Sequence, residues 1–487
     1  MPEGYTGGRV LLKSICSTFR FNYSVKDLVP KLARSSVASV TALSLLFSGL
    51  PLSSAQAQSK VPLVRDAETE NLLRDYARPV FRAAGLPANQ VEIILVNDKS
   101  YNAFVPDSRR MFINVGVVMT AKTPEEVIGV IAHETGHITG NHLVRMRQAA
   151  ANARVISVIG MILGAGAAAA GVSAGSSAVA QGGAAAAMGG GSLAQRTFLA
   201  YKRSEESAAD QAALKYLERT GTSPKGMLTS FERMADAALF SARYADPYAI
   251  SHPMPRDRFN ALQVKAKKSR HFNKKVPSQL QQRHDMVRAK LAAFTSHPKS
   301  TYRLYPRSNK SLPAQYARAV ATMKSSSGKK AARAIDKLIA QQPNNPYFYE
   351  LKGQALLEGG NPAAAIAPFK KALSYMPRNP QLEIWLGFAL VASENPQYLP
   401  EAKRILTTAL RRDPNSHIGY TQLAIAYGRT GDTAMADLST AKSLLARGNL
   451  RSAQQYAARA KKKMKTGSIS WQQADDILSY KVNRALR

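Results

Sequence analysis

The residues best placed to do chemistry lie in one short stretch, His133-Glu134-x-x-His137. On a helix, positions i and i+4 share a face, so His133 and His137 point the same way. That spacing lets two neutral imidazoles reach one zinc ion at about 2.0–2.1 Å each. Glu134 sits beside them, where a carboxylate can take a proton from an attacking water. A third ligand decides whether such a pair is a metal site. Residues 202–217 read as a helix ending near Gly221, and on it Glu206 and Asp210 share a face. Glu206 can complete a two-His, one-Glu zinc site, one ion per chain, with a fourth position open. Asp210 can accept the second ring N–H of a ligand histidine and fix its tautomer. Arg203, one turn earlier, can pair with Glu206 or with substrate. His142, five residues past His137, falls off the ligand face and reads as structural.

These side chains need a positioned scaffold. Thr123, Pro124 and Glu126 make a helix start with a Thr-x-x-Glu capping box, and Val127, Ile128, Val130 and Ile131 supply apolar residues to bury the helix, which is expected to run to about Gln148. Upstream, a helix is expected over Ala67–Ala84, stopped by Gly85-Leu86-Pro87. Val91–Val96 reads as a strand. Ala103–Val105 and Met111–Val118 flank the polar turn Asp107–Arg110 as a hairpin, giving a small antiparallel sheet. A strand beside a zinc helix can take an extended peptide by β-addition, or serve as plain core.

From Val155 to Gln195 there is no charged residue, and Gly, Ala and Ser dominate. The segment contains Gly160-x-x-x-Gly164, a pattern that permits close helix packing. A mobile lid or membrane-touching hairpin, a buried helical pair and a true span all remain open, although the apolar run is short for a span.

The formal net charge is +35, and from Arg258 onward 40 Lys+Arg face 12 Asp+Glu. Such a surface favours anionic partners or is simply a solvated helical face. No basic motif interleaved with aromatics appears, so no nucleic acid is expected. Residues 1–57 resemble an export signal, with Lys31 and Arg34 before an apolar run and a cleavage site at Ala55-Gln56-Ala57. A mitochondrial transit peptide is the minor alternative. The single cysteine, Cys16, falls in that segment, so no disulfide and no thiolate ligand is expected downstream.

Residues 263–310 form a basic connector with Lys267-Lys268, Arg270 and Lys274-Lys275. A 34-residue period follows: Leu312–Asn345, Pro346–Asn379, then Pro380–Ser416 with three extra residues, and further helices from His417 to about Ala460. The period fits tetratricopeptide units, expected to stack over residues 311–465 as a separable superhelix with a concave binding face, ahead of a C-terminal helix in residues 466–487; an unrelated helical bundle is the alternative.

His133-Glu134-x-x-His137 followed by Arg203-x-x-Glu206-x-x-Ala209-Asp210 resembles the HtpX-like and CAAX-prenyl-protease group of zinc metallopeptidases. Ser251-His252-Pro253-Met254-Pro255-Arg256-Asp257-Arg258 is similar to the His-Pro…Arg segment of that group. The resemblance covers about residues 60–262. Lys202 stands where many members have Ser, and Pro106-Asp107 where glycines are common. Metzincins need a third histidine at position 143, which here is Leu143. The expected fold is mostly α: a zincin-like α+β metallopeptidase domain over residues 58–262, then an α-solenoid. A peptidase of this group joined to such repeats resembles an exported, soluble branch. The resemblance implies a zinc endopeptidase of the periplasm that cleaves misfolded or stalled outer-membrane proteins, with the repeats docking on the outer-membrane assembly machinery; a peripheral contact with the membrane is expected only from the uncharged segment 155–195. The alternative is a repeat-based chaperone or scaffold with a largely latent protease site; an intact Glu134 speaks against it.

Of the eight histidines, three belong to the motif helix stretch and four to the connector or repeats, which leaves His252, between Pro253 and Pro255 and the preceding chain. His252 can occupy the open fourth place on the metal as a latch, steady the oxyanion of the transition state, or only pack.

Overall fold

The computed structural model describes residues 63–87, 89–173, 176–240, 252 and 256–481. The expected export segment with Cys16 lies outside them, as do Pro253 and Pro255. Helix α1, Ala67–Ala83, starts at Asp66, whose carboxylate accepts the Thr69 N–H at 2.8 Å. It buries Leu72, Leu73, Tyr76, Ala77, Val80 and Phe81 along one stripe, and Gly85 in the left-handed region (φ +77°) ends it.

Four short strands follow the order β1-β2-β4-β3: β1 Leu63–Val64, β2 Glu92–Val96, β3 Ala103–Asp107 and β4 Arg110–Asn114. The expected hairpin is β3/β4, antiparallel. The sheet as a whole is mixed, not antiparallel, because β4 returns between β3 and β2 and runs parallel to β2, pairing Ile93 with Met111 and Leu95 with Ile113. The strand expected over Met111–Val118 breaks at Asn114, and Val115–Thr120 forms helix α2. β-Branched Val115, Val117 and Val118 favour a strand, but all three are fully buried and packing decides. Gly116 lies under the carbonyls of Lys99 and Ser100, where an added Cβ would come within 2.3 Å of both oxygens.

Helix α3, Pro124–Thr139, has the expected start: Glu126 accepts the Lys122 and Thr123 N–H groups at 2.9 and 3.3 Å. It ends at Gly140 rather than near Gln148, because Asn141 turns the chain with φ +51°. Two long helices follow, α4 His142–Ser173 and α5 Ser177–Thr220, packed against each other as a hairpin. The helix expected over residues 202–217 is the end of α5, stopped by left-handed Gly221. In the hairpin Val155, Ile159, Ile162 and Leu163 are exposed, so this is not a buried helical pair. Helices α6 Lys225–Phe240, α7 Arg256–Ala266, α8 Ser278–Thr295 and α9 Pro298–Leu304 complete the N-terminal part.

The repeats are antiparallel helix pairs that begin where the period predicts: α10 Leu312–Ser325 with α11 Gly328–Gln341, α12 Pro346–Glu358 with α13 Pro362–Tyr375, α14 Pro380–Ala392 with α15 Leu399–Arg412, and α16 His417–Arg429 with α17 Thr433–Ala446. Helices α18 Leu450–Lys462 and α19 Ile469–Ser479 continue the stack. The three extra residues of the third unit sit in a 3-10 turn, Pro396–Tyr398. Gly353 lets α12 lie on the Phe369 ring, which an added Cβ would meet at 2.7 Å.

The repeats share a buried seam with the N-terminal part. Helix α8 places Val287 and Leu291 in the core under α1 and α3, and Met286, Ala289 and Ala293 in the core of the first repeats. Its Lys290, buried, lies 2.5 Å from Asp66 and 3.3 Å from Glu68, with Glu350 of α12 at 3.9 Å. Tyr316 donates to Glu68 at 2.8 Å, Asn71 to Tyr347 at 3.1 Å, and Arg65 pairs with Asp413 at 2.8 Å. The start of α1 thus meets three repeat helices or their ends, α10, α12 and α15, and residues 61–487 form one compact unit.

Candidate metal centre

Helix α3 reaches its neighbours at unusually short range because small residues face them. A Cβ on Gly136 would lie 2.8 Å from the Ala209 carbonyl oxygen of α5, and one on Gly129 would lie 2.7 Å from the Met227 Cα of α6. These approaches bring Glu206 and Asp210 onto the face of α3 that carries His133 and His137.

Four donors converge there, all buried: His133 Nε2, His137 Nε2, a Glu206 oxygen and His252 Nδ1. His133 Nε2 is 3.1 Å from His137 Nε2, 3.4 Å from Glu206 and 3.3 Å from His252 Nδ1. Glu206 is 3.5 Å from His137 and 3.1 Å from His252. A tetrahedral ion with bonds of about 2.05 Å holds its ligands about 3.35 Å apart. Glu206 turns one oxygen to His133 and the other to His137, so with either oxygen as the donor four edges of the tetrahedron are matched, and the donor set of imidazoles and one carboxylate suits zinc.

The surrounding groups fix the donors. Asp210 lies 3.0 Å from His133 Nδ1 and holds the proton there, which makes Nε2 the nitrogen turned to the cluster and the one that would bind an ion on losing its proton. Burial disfavours charge on His133, yet its contacts with Asp210 and Glu206 outweigh this and hold its pKa up at about 9. Burial pushes the Glu206 and Asp210 carboxyls up, but His252 and His133 pull Glu206 well below the carboxylate range, and His133 and Arg258 bring Asp210 below its ordinary value. His137 is depressed by burial and by its charged neighbour His133. The site thus favours a cation among ionised carboxylates. Glu134 is fully buried beside the donors, with an oxygen 3.6 Å from His252 Nε2.

Arg258 on α7 straddles the two carboxylates, at 2.6 and 2.8 Å from Asp210 and 3.1 Å from Glu206. The arginine on Glu206 is therefore Arg258, whereas Arg203 is exposed and lines a cleft beside Asp210. Three residues along a helix rotate a side chain about 60° off the shared face, which places Arg203 on the outer side of α5. His142 was expected to be only structural, but the turn at Gly140-Asn141 folds it back: its Nδ1 is 2.9 Å from His137 Nδ1, and its Nε2 is 3.1 Å from Glu205. A Cβ on Gly140 would overlap this ring at 2.0 Å. Nothing in the spacing from His137 signals the contact. Only the break in helix periodicity at Gly140-Asn141 could have.

This arrangement, an α3 ligand pair completed from a second helix behind a small sheet, defines a metallopeptidase. Residues 66–266 match the model of peptidase family M48, and this part of the chain is a metalloprotease domain of that family. Residues 356–424 match a tetratricopeptide repeat. The chain is 25% identical to the beta-barrel assembly-enhancing protease of Yersinia pestis over 85% of its own length and 83% of the relative's. It is 23% identical to the protein of that name from Escherichia coli strain K12, over the same shares. Metalloprotease LoiP of the same strain is 27% identical over 39% of this chain and 73% of its own.

Proposed function

We propose that the protein is a zinc endopeptidase of the periplasm that cleaves misfolded or stalled outer-membrane proteins and rests in a latent state. The distant likeness to the beta-barrel assembly-enhancing proteases over most of the chain supports the substrate class. His133, His137 and Glu206 hold the ion, which supplies Lewis-acid polarisation of the scissile carbonyl when bound. Glu134 takes the proton from the attacking water and returns it to the leaving amine. Asp210 keeps His133 in the tautomer with Nε2 free, and Arg258 holds both carboxylates in place. An extended substrate adds to the outer edge of β3, which packs on α3. The repeats bind a protein of the assembly machinery.

The observation that carries latency is His252. Its Nδ1 stands at the fourth corner of the donor tetrahedron, where the attacking water belongs, and the ring is buried with Glu134. Turnover therefore requires this side chain to withdraw. The deciding experiment is degradation of an unfolded outer-membrane protein by the zinc-loaded chain, wild type against Glu134→Gln. Loss of cleavage in the variant with zinc content unchanged is expected; equal cleavage would remove Glu134 from the mechanism. No cleavage by either protein, even with His252→Ala, would favour the scaffold reading.

A further inference from the structure

The hairpin of α4 and α5 is built inside out for a water-facing helix pair. Along α4 the less exposed positions are Ala153, Ser157, Gly160, Gly164 and Ala168, spaced by three or four and turned toward α5. The large apolar residues point the other way: Ile159 is 51% exposed, Ile162 65% and Leu163 68%, with Val155, Val158 and Met161 similarly open. In water a helix pair buries its large side chains and exposes polar ones. Small residues inside and large apolar ones outside is the arrangement helices adopt in lipid, where close backbone approach drives packing. Helix α4 is long and apolar enough to cross a membrane, and little of it is covered.

The charges frame this face. No ionisable side chain occurs between Arg154 and Arg196. Just below the uncharged part, Arg145, Arg147 and Arg154 on α4 and Arg196 and Arg203 on α5 are exposed. An apolar tip above a basic collar on both helices complements a bilayer with anionic headgroups. The uncharged parts of α4 and α5 are each about 28 Å long at 1.5 Å per residue, close to the thickness of a hydrocarbon core.

We propose that this hairpin inserts tip first into an anionic lipid bilayer, with both ends emerging on one side and the arginine collar at the headgroups. Helix α5 is continuous from the hairpin to the metal centre, and ten residues separate Arg196 from Glu206, about 15 Å along the axis. Taken with the peptidase reading, the hairpin holds the active site just above the membrane surface, where membrane-protein segments emerge.

The test is flotation of the full chain with vesicles of phosphatidylethanolamine and phosphatidylglycerol against vesicles of phosphatidylcholine. Wild type floats with the anionic vesicles and much less with the neutral ones. Ile159→Glu combined with Leu163→Glu abolishes flotation while thermal melting is unchanged, because both side chains are already exposed. Arg147→Gln and Arg154→Gln together weaken partitioning about 30-fold, from about fivefold per basic residue at an anionic surface. Labelling Ile162→Cys, in a Cys16→Ser background, with an environment-sensitive dye gives a blue shift on vesicle binding. Glu134→Gln floats like wild type, so this outcome stands apart from the peptidase reading. Absence of flotation, equal flotation on neutral vesicles, or flotation retained by the Ile159/Leu163 double variant overturns the proposal.

Discussion

At the scale of single residues, the centre depends on which nitrogen of each histidine is free. Asp210 selects Nε2 of His133 and His142 does the same for His137, so removing either partner loosens a donor without removing it. His142→Ala is expected to weaken metal binding by about 10- to 100-fold, read by competition with a chelator; unchanged affinity would return His142 to a merely structural role. Glu134→Gln should keep the metal and lose a factor of about 10²–10⁴ in rate, the usual worth of a general base. His252→Ala separates two roles of opposite sign. As a latch its removal raises basal proteolysis at constant zinc content, whereas an oxyanion donor would lose about 10²–10³.

At the scale of elements, the contact of α3 with α5 decides whether the ligands meet. Gly136→Ala places a methyl group 2.8 Å from a backbone oxygen that cannot rotate away. The variant should lose about 1–3 kcal/mol of stability, as overpacked cores do, and should bind zinc more weakly because Glu206 moves with α5. Gly182→Ala, on α5, is the control: nothing lies within 4 Å of the added Cβ. There the gain in helix propensity, up to about 1 kcal/mol, should leave zinc affinity untouched. Thermal melts with metal analysis read both, and equal behaviour of the two variants would dissociate helix spacing from the site.

At the scale of the whole molecule, the buried cluster around Lys290 ties the peptidase to the repeats. Burial, with the carboxylates Asp66, Glu68 and Glu70 adding to it and Lys290 opposing, pushes the Glu350 carboxyl up to about 8. Lys290 itself is buried, which disfavours its charge, but Asp66 and the neighbouring Tyr316, Glu68 and Glu350 hold its pKa well above the ordinary value. A carboxyl raised on folding contributes stability that is fully present below its unfolded value, near 4.5, and is lost as pH rises through about 8. The melting temperature should therefore fall between pH 5 and pH 8.5, and Glu350→Gln, which stays neutral, should flatten that fall. A wild-type profile that does not differ from the variant's over this range would contradict the assignment. Deleting the chain after residue 310 removes Tyr316, Tyr347, Glu350 and Asp413 together, and should leave a destabilised peptidase rather than an independent one.

Local signals sufficed for the parts that close on themselves. His133, Glu134 and His137 are legible because helix period alone aligns them, and Glu206 with Asp210 because they share a turn of one helix. The repeats are legible because each 34-residue unit packs mainly on its neighbours, so the period survives in the sequence. What needed the tertiary structure was whatever joins distant chain segments. The parallel pairing of β2 with β4 depends on where β3 is set aside, and α2 depends on burial overriding β-branched propensity. Arg258 rather than Arg203 meets Glu206 because a separate helix lies across α5, and His142 reaches His137 only through the turn at Asn141. The uncharged segment is the clearest division: composition marks it as apolar and flexible in use, but which face is small and which is large toward solvent is set by the packing of α4 on α5. The same holds for the seam at Lys290, whose partners come from positions 66, 68 and 350, far apart in the chain and adjacent only once folded.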